Sequence, residues 1–257
     1  DHALALIGVM LHGGHNPDAE PTAGLLSFFR EHAWRDGEFV QGGLALDPRQ
    51  GDAWVPTTSP RAVDANTWGV AALGPGTIDG WFGFGAALRN WQQLKRWGGY
   101  GEGPTLWGVG YSELDGNGVD GNGAYRAGIL SSEWTAGAIT MVRGMITHYG
   151  RIAPDSPRHA AARRYLEELR RDEQTMLAGI GRLRLDAYIA TPFAGKPPDY
   201  ERLMPRNPAL QPYVYASRRY AIPFGWYANP LPSTCATAWV LMLAAGFDPF
   251  GYGGAPN

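Results

Sequence analysis

Apolar and polar positions along the chain fall into blocks of helical length, separated by glycine- and proline-rich stretches. A short apolar block over residues 3–11 stops at Gly13 and Gly14. A second, over 22–34, follows Pro21, carries Leu25, Leu26, Phe28 and Phe29, and ends near Gly37. Residues 39–61 are loop-rich and hold Trp54. The pattern then predicts an apolar helix over 63–73 (VDANTWGVAAL) with Gly74-Pro75 as its stop. A further helix lies within 78–97, with Ala86, Ala87, Leu88, Trp91 and Leu94 on one side. Residues 98–127 form a long glycine-rich loop, of a length that is usually functional when ordered. Helices are predicted over 131–149, 157–183 (long and amphipathic) and 233–245, the last closed by Gly246. Between them, 188–206 is irregular and 218–226 is short and extended.

Three of these helices echo one another: DANTWGVAALG, SSEWTAGAITMVR and PSTCATAWVLMLAAG. Each is rich in small residues, holds one Trp and follows a long irregular segment. The second is followed by a more polar helix. Apolar helices backed by amphipathic ones are how a double ring is built, the inner helix buried all round and the outer half-wet. On these segments, on the acids at their N-terminal ends (Asp64 and Glu133) and on the Trp/Gly-rich loops between them, the chain resembles the six-hairpin, or (α/α)6-toroid, glycosidase superfamily. The resemblance implies a mainly α fold, with residues 1–257 as a single helical domain. Six hairpins need on the order of 250–350 residues, and the chain offers only seven or eight helices. The ring is therefore expected to be incomplete, finished by a second chain or a missing N-terminal part. Its open side would then expose apolar residues of the first and last helices: Leu4, Ile7, Leu11, Val240 and Leu243.

Composition narrows the functional classes. The 22 Lys+Arg against 24 Asp+Glu leave a net charge of −2 and no basic cluster, which argues against a nucleic-acid partner. Arg163, Arg164, Arg170 and Arg171 alternate with Glu167, Glu168, Asp172 and Glu173, the pattern of a solvated helix face. No apolar run reaches the ~20 residues of a membrane span. With 10 Trp, 12 Tyr and 36 Gly at only 18% charged residues, ordered aromatic loops are expected, and an exported, periplasmic or extracellular protein with them. Cys235 alone excludes an intrachain disulfide; its apolar, Thr-flanked setting predicts a buried, inert thiol. His12 and His15 lack the carboxylate pattern of a zinc site.

Glu133 opens an apolar helix beside Trp134. Burial there would raise its pKa toward that of a general acid, whereas the bland alternative is a helix-end carboxylate after the cap residue Ser131 or Ser132. Asp64 opens the preceding apolar helix and is the expected partner, as base or nucleophile; its bland alternative is an N-cap. Asp79 and Glu113, each between aromatics on glycine-rich loops, are reserves. Trp54, Trp81, Trp107, Tyr111, Trp134, Trp226 and Tyr227 lie in or beside loops, where flat rings suit the C–H faces of sugars; about half are expected in the core instead, together with Trp91 and Trp239. Asp115, Asn117, Asp120 and Asn122 could ligate a structural calcium, although Asp-Gly and Asn-Gly are first of all turn dipeptides. No cofactor is otherwise required. The expected activity is carboxylate-catalysed cleavage of a polysaccharide. Alternatives are a polysaccharide lyase with Tyr111 or His148 as base, or a non-catalytic glycan-binding scaffold subunit.

Overall fold

The computed structural model describes residues 20–45, 54–190, 200–207 and 209–250. The expected helix over 3–11, and with it Leu4, Ile7, Leu11, His12 and His15, lies outside these residues. Among the described residues about 50% are helical, in eight α-helices with small antiparallel sheets, so the mainly α expectation is met.

The helices are α1 (Glu20–Phe28), α2 (Val63–Leu73), α3 (Pro75–Phe82), α4 (Ala86–Gly98), α5 (Ser132–Gly150), α6 (His159–Gly181), α7 (Leu185–Ala190) and α8 (Thr234–Ala244). A π-helical turn, Phe29–Ala33, extends α1. The described residues also form four two-stranded hairpins, of which the first three fall mainly in stretches read as loop and the last begins in the stretch expected to be extended: β1 (Trp34–Arg35) with β2 (Glu38–Phe39), β3 (Gly42–Ala45) with β4 (Trp54–Thr57), β5 (Gly99–Glu102) with β6 (Thr105–Val109), and β7 (Tyr220–Ile222) with β8 (Trp226–Ala228). The first turns on Asp36-Gly37, both at positive φ (51° and 87°), which is why an Asp-Gly pair sits there.

Backbone hydrogen bonds from the loops gather the N-termini of α2, α5 and α8 at one end of the molecule. Val63 N donates to Tyr111 O and Ser131 N to Val109 O, two residues away on the same loop. Ser132 N donates to Tyr215 O and Ser233 N to Tyr213 O. The three helices then run side by side. Gly137, six residues into α5, leaves room for Trp68 of α2, since a Cβ there would stand 2.5 Å from Trp68 Nε1. Farther along, Arg143 donates to Leu243 O across α5 and α8 (2.8 Å). Ser131 and Ser233 cap α5 and α8, accepting from Trp134 N and Ala236 N.

Two amphipathic helices back this layer in the opposite direction. The end of α4 meets the start of α2, Gly98 against Val63, and α6 ends with Gly179 against the Trp107 backbone. Glu168 and Asp172 are not the solvated pairs their spacing suggested. Lys95 of α4 bonds Asp172 at 2.6 Å and Glu168 at 2.8 Å, and Trp91 Nε1 donates to Asp172 at 2.9 Å. Glu173 holds Arg143 at 2.6 Å. These ion pairs tie the outer helices to each other and to α5. Trp91 is fully buried, as expected. On α8, Val240 and Leu243 are buried, contrary to the expectation for an open ring edge; the large apolar residue exposed on that helix is Leu241.

Candidate active site

The N-terminal ends of α2 and α5 border a cleft of about 560 Å³. Asp64, Trp68 and Trp134 line it from α2 and α5, Trp54 from β4, and Phe224 and Trp226 from the β7–β8 hairpin. Phe28, Phe29 and Phe39 close the side toward α1. Asp64 and Trp68 are four residues apart, so one face of α2 presents both the carboxylate and the indole. Trp54 packs edge-on to Phe28 (5.3 Å between centroids) and rests on the Gly43 backbone, where no side chain would fit. Trp226 is 39% exposed, with room for a ligand to cover it.

The two carboxylates expected at this end are there. Burial pushes the Asp64 carboxyl up to about 6, the Ala65 amide (2.8 Å) works against that, and the charge of Glu133 adds to it. The two groups therefore lie within electrostatic reach of each other. Glu133 stands beside the cleft wall, one residue before Trp134 and toward α8. Burial raises its carboxyl above the usual value, opposed by the nearby Cys235 thiol and Trp239 indole. Tyr215, also near Glu133, has its hydroxyl raised by burial and by that charge.

The reserve acids are not part of this group. Asp79 lies at the opposite end of α5. It accepts from Gly85 N (2.9 Å), Ala87 N (3.1 Å) and Tyr149 Oη (3.3 Å), and stands 3.3 Å from His148 Nε2. His148 is fifteen residues beyond Glu133, about 22 Å along the helix. Burial alone would raise the Asp79 carboxyl, but His148 and the two amides hold it below the usual value. Its work is to cap α4. Glu113 is committed to Arg61 Nε (2.8 Å), the Arg61 amide (3.0 Å) and Ser59 Oγ (2.8 Å), which also hold its carboxyl low despite burial. It latches the approach to α2.

The aromatics divide likewise. Trp54, Trp134 and Trp226 line the cleft, and Trp81, Trp107, Tyr111 and Tyr227 do not. Tyr111 is fully buried, edge-on to Trp134 at 4.8 Å. Trp81 is on α3 near Asp79, and Trp107 stacks under Arg182 at 4.9 Å. Tyr227 is 61% exposed beneath Arg219. Both bases considered for a lyase are misplaced: burial pushes the Tyr111 hydroxyl well above its usual value, and His148 is at the far end of α5.

The calcium quartet is used by its own loop. Asp115 accepts from Ser112 Oγ (2.8 Å), Ser112 N (2.9 Å) and the Tyr111 amide. Asn117 bridges Gly98 O and both backbone groups of Ile129. Asp120 accepts from the amides of Asn122 and Ala124, forming the expected turn. Asn122 takes part through that backbone bond. Among the described residues no group of three or more His, Cys, Asp or Glu is placed to hold a metal ion.

Trp68, Tyr215, Cys235 and Trp239 join the site without having been singled out for it. Cys235, expected to be buried, is exposed, and Trp239, expected in the core, is only half-buried. Spacing carries a signal for both tryptophans: each stands four residues after a polar residue in the first turn of its helix, Asp64 or Cys235. Trp68 and Trp239 stack at 5.4 Å with 20° between planes. No family model, curated protein or solved structure matches the chain.

Proposed function

We propose that the chain is a glycan-cleaving hydrolase, acting outside the cytoplasm, whose reaction is carried by Asp64 and Glu133. The observation that carries the reading is the placement of two carboxylates, both raised by burial, at adjacent helix N-termini, one of them opening on an aromatic cleft. Acid–base hydrolysis of a glycosidic bond needs one protonated and one ionised carboxyl group. Burial raises both groups; Asp64, pushed up to about 6 and lining the cleft, is proposed as the acid and Glu133 as the base or nucleophile, the reverse of the roles expected from sequence. In the proposed reaction the Asp64 proton goes to the glycosidic oxygen as its bond to the anomeric carbon breaks. Water supplies hydroxyl to that carbon and a proton to the carboxylate pair, directly or after a glycosyl ester at Glu133.

Trp54, Trp68, Trp134 and Trp226 would form the sugar-facing walls. The parallel α2, α5 and α8, backed by α4 and α6, fit part of a six-hairpin ring, with a further helical element packing beside the exposed Leu241. That element is proposed as a second chain or another part of a longer protein.

The test is reducing-end release from a panel of polysaccharides. Asp64→Asn and Glu133→Gln should each lower turnover at least 10²-fold, while Trp54→Ala and Trp226→Ala should weaken binding first. Full turnover in both carboxylate variants would overturn the assignment. Tight binding with no cleavage by the unmodified chain would leave a glycan-binding subunit.

A further inference from the structure

The walls of the cleft are built from rings. Trp54, Phe28, Phe29 and Phe39 form a continuous row, each edge-on to the next at 5.3, 6.0 and 5.7 Å between centroids. All four line the cleft. Phe224 and Trp226 of the β7–β8 hairpin, 5.8 Å apart, add a second pair. Beside these rings the lining offers the exposed Gln41 amide, the backbone of Gly42 and Gly43, and the Asp64 carboxyl. Asp64 is the one charged residue among the described residues that line the cleft. Nearby cations are turned elsewhere. Arg61, three residues before Asp64, is held by Glu113 (2.8 Å) and Glu38 (3.0 Å) and lies over the Trp97 ring. Trp226 and Tyr227 are consecutive on β8 and face opposite ways. Arg219, 5.1 Å over the Tyr227 ring, therefore stands on the side of the hairpin away from the cleft.

We propose that the substrate is an uncharged glycan, and that the cleft discriminates against uronate, sulfated and phosphorylated chains. This rests on the reading of the chain as a glycan-cleaving hydrolase and names the substrate class of that site. A neutral sugar sets its C–H faces against the rings and keeps its hydroxyl edge for Asp64, Gln41 and the glycine backbone. An anionic sugar would give up water among apolar walls and meet a carboxylate in place of a counter-charge. Sites that select carboxylate or phosphate groups present Arg or Lys to them. A further negative charge would also act on the reaction, because it makes both Asp64 and Glu133 harder to ionise and so weakens the base.

The experiment is binding to the unmodified chain at low ionic strength, read by quenching of tryptophan fluorescence. The probes are pairs of oligosaccharides that share a backbone and differ in charge: polygalacturonate and its methyl ester, cello-oligosaccharides and their carboxymethylated forms, xylan with and without glucuronate side groups, and chitin against chitosan. The tightest ligand should be uncharged, and its acidic counterpart at least about tenfold weaker. Trp226→Ala should weaken the neutral ligand, which assigns it to the cleft. Gln41→Arg, at an exposed position of the lining, should raise affinity for the acidic counterpart more than for the neutral one. Equal affinity within a pair, or an acidic or amino-sugar chain that binds tightest and is lost in Trp226→Ala, would overturn the proposal and leave the hydrolase reading standing. Failure of every glycan to bind in a Trp226-dependent way would instead remove the hydrolase reading, and the substrate class with it.

Discussion

Replacing Asp64 by Asn should make the protein more stable at neutral pH while removing its turnover. The sign follows from proton binding. Asp64 has its carboxyl raised from 3.8 to about 6 in the folded chain. Between those values the folded chain keeps a proton that the unfolded chain has released, so stability falls as pH rises through that window. Below it the two states bind the proton equally and the cost vanishes; above it the cost is constant. Each pH unit is worth about 1.4 kcal/mol, which sets an upper limit of about 3 kcal/mol for the whole window. Solvent reaches the half-buried group and reduces this, and Asn loses the favourable interaction of a first-turn charge with the helix dipole, about 0.3–1 kcal/mol. A net gain of about 1–2 kcal/mol remains, or a rise in Tm of roughly 2–8 °C for a chain of this size. Thermal or urea unfolding from pH 3.5 to 8 would show it: the parent loses stability between pH 4 and 6, Asp64→Asn lacks that loss, and the curves converge at the acid end. An Asn variant equal to or weaker than the parent at pH 7 would refute the claim that Asp64 is ionised at a cost. Such a cost is ordinary for a catalytic group, whose environment serves the reaction at the expense of the fold.

Lys95→Met should cost about 3–5 kcal/mol, because it leaves the buried Asp172 carboxylate with only the Trp91 indole; Lys95→Met with Asp172→Asn should recover much of the loss in urea midpoint, and no recovery would refute the pairing. Asp79 titrates in the opposite sense to Asp64. Its carboxyl is held below 3.8, so its contribution is present above that value and lost as pH falls below it. Asp79→Ala should therefore cost about 1–2 kcal/mol at pH 7 as a lost cap, flatten the acid end of the stability profile and leave turnover intact. A large loss of turnover in a folded Asp79→Ala chain would return Asp79 to the list of catalytic candidates.

Most of the helices were legible because their boundaries are written locally; α3, which starts at the Pro75 read as a stop, and α7, Leu185–Ala190, were not. Ser131 and Ser233 cap, Gly74 and Gly246 stop, and the apolar runs between them are of helical length. Asp64 and Glu133 were legible for the same reason, as acids in the first turns of otherwise apolar helices. The short hairpins were not, since two- to five-residue strands leave little alternation to read, although Asp36-Gly37 was a local sign of the first. Asp79 and Glu113 show the limit more sharply. In sequence each looks like a candidate acid between aromatics. What removes them from the site is a partner far along the chain: His148 at 69 residues from Asp79, and Arg61 at 52 from Glu113. Composition around an acid says that it is in unusual company, not which group will neutralise it.

Cys235 and Trp239 were misread for a related reason. A cysteine and a tryptophan in an apolar helix belong in a core if the helix is covered on every side, and that is how α5 behaves. α8 carries the same pattern with one face uncovered, at Leu241. The decisive clue was register, not hydrophobicity: counting from each N-cap places Cys235 in line with Asp64 and Glu133, and Trp239 in line with Trp68. Parallel neighbouring helices bring equal positions to equal height, so residues that share a count from the cap can share a site however far apart they lie in the chain. The same count explains why Gly137 occupies the sixth position of the middle helix, because the Trp68 indole leaves no room for a side chain there.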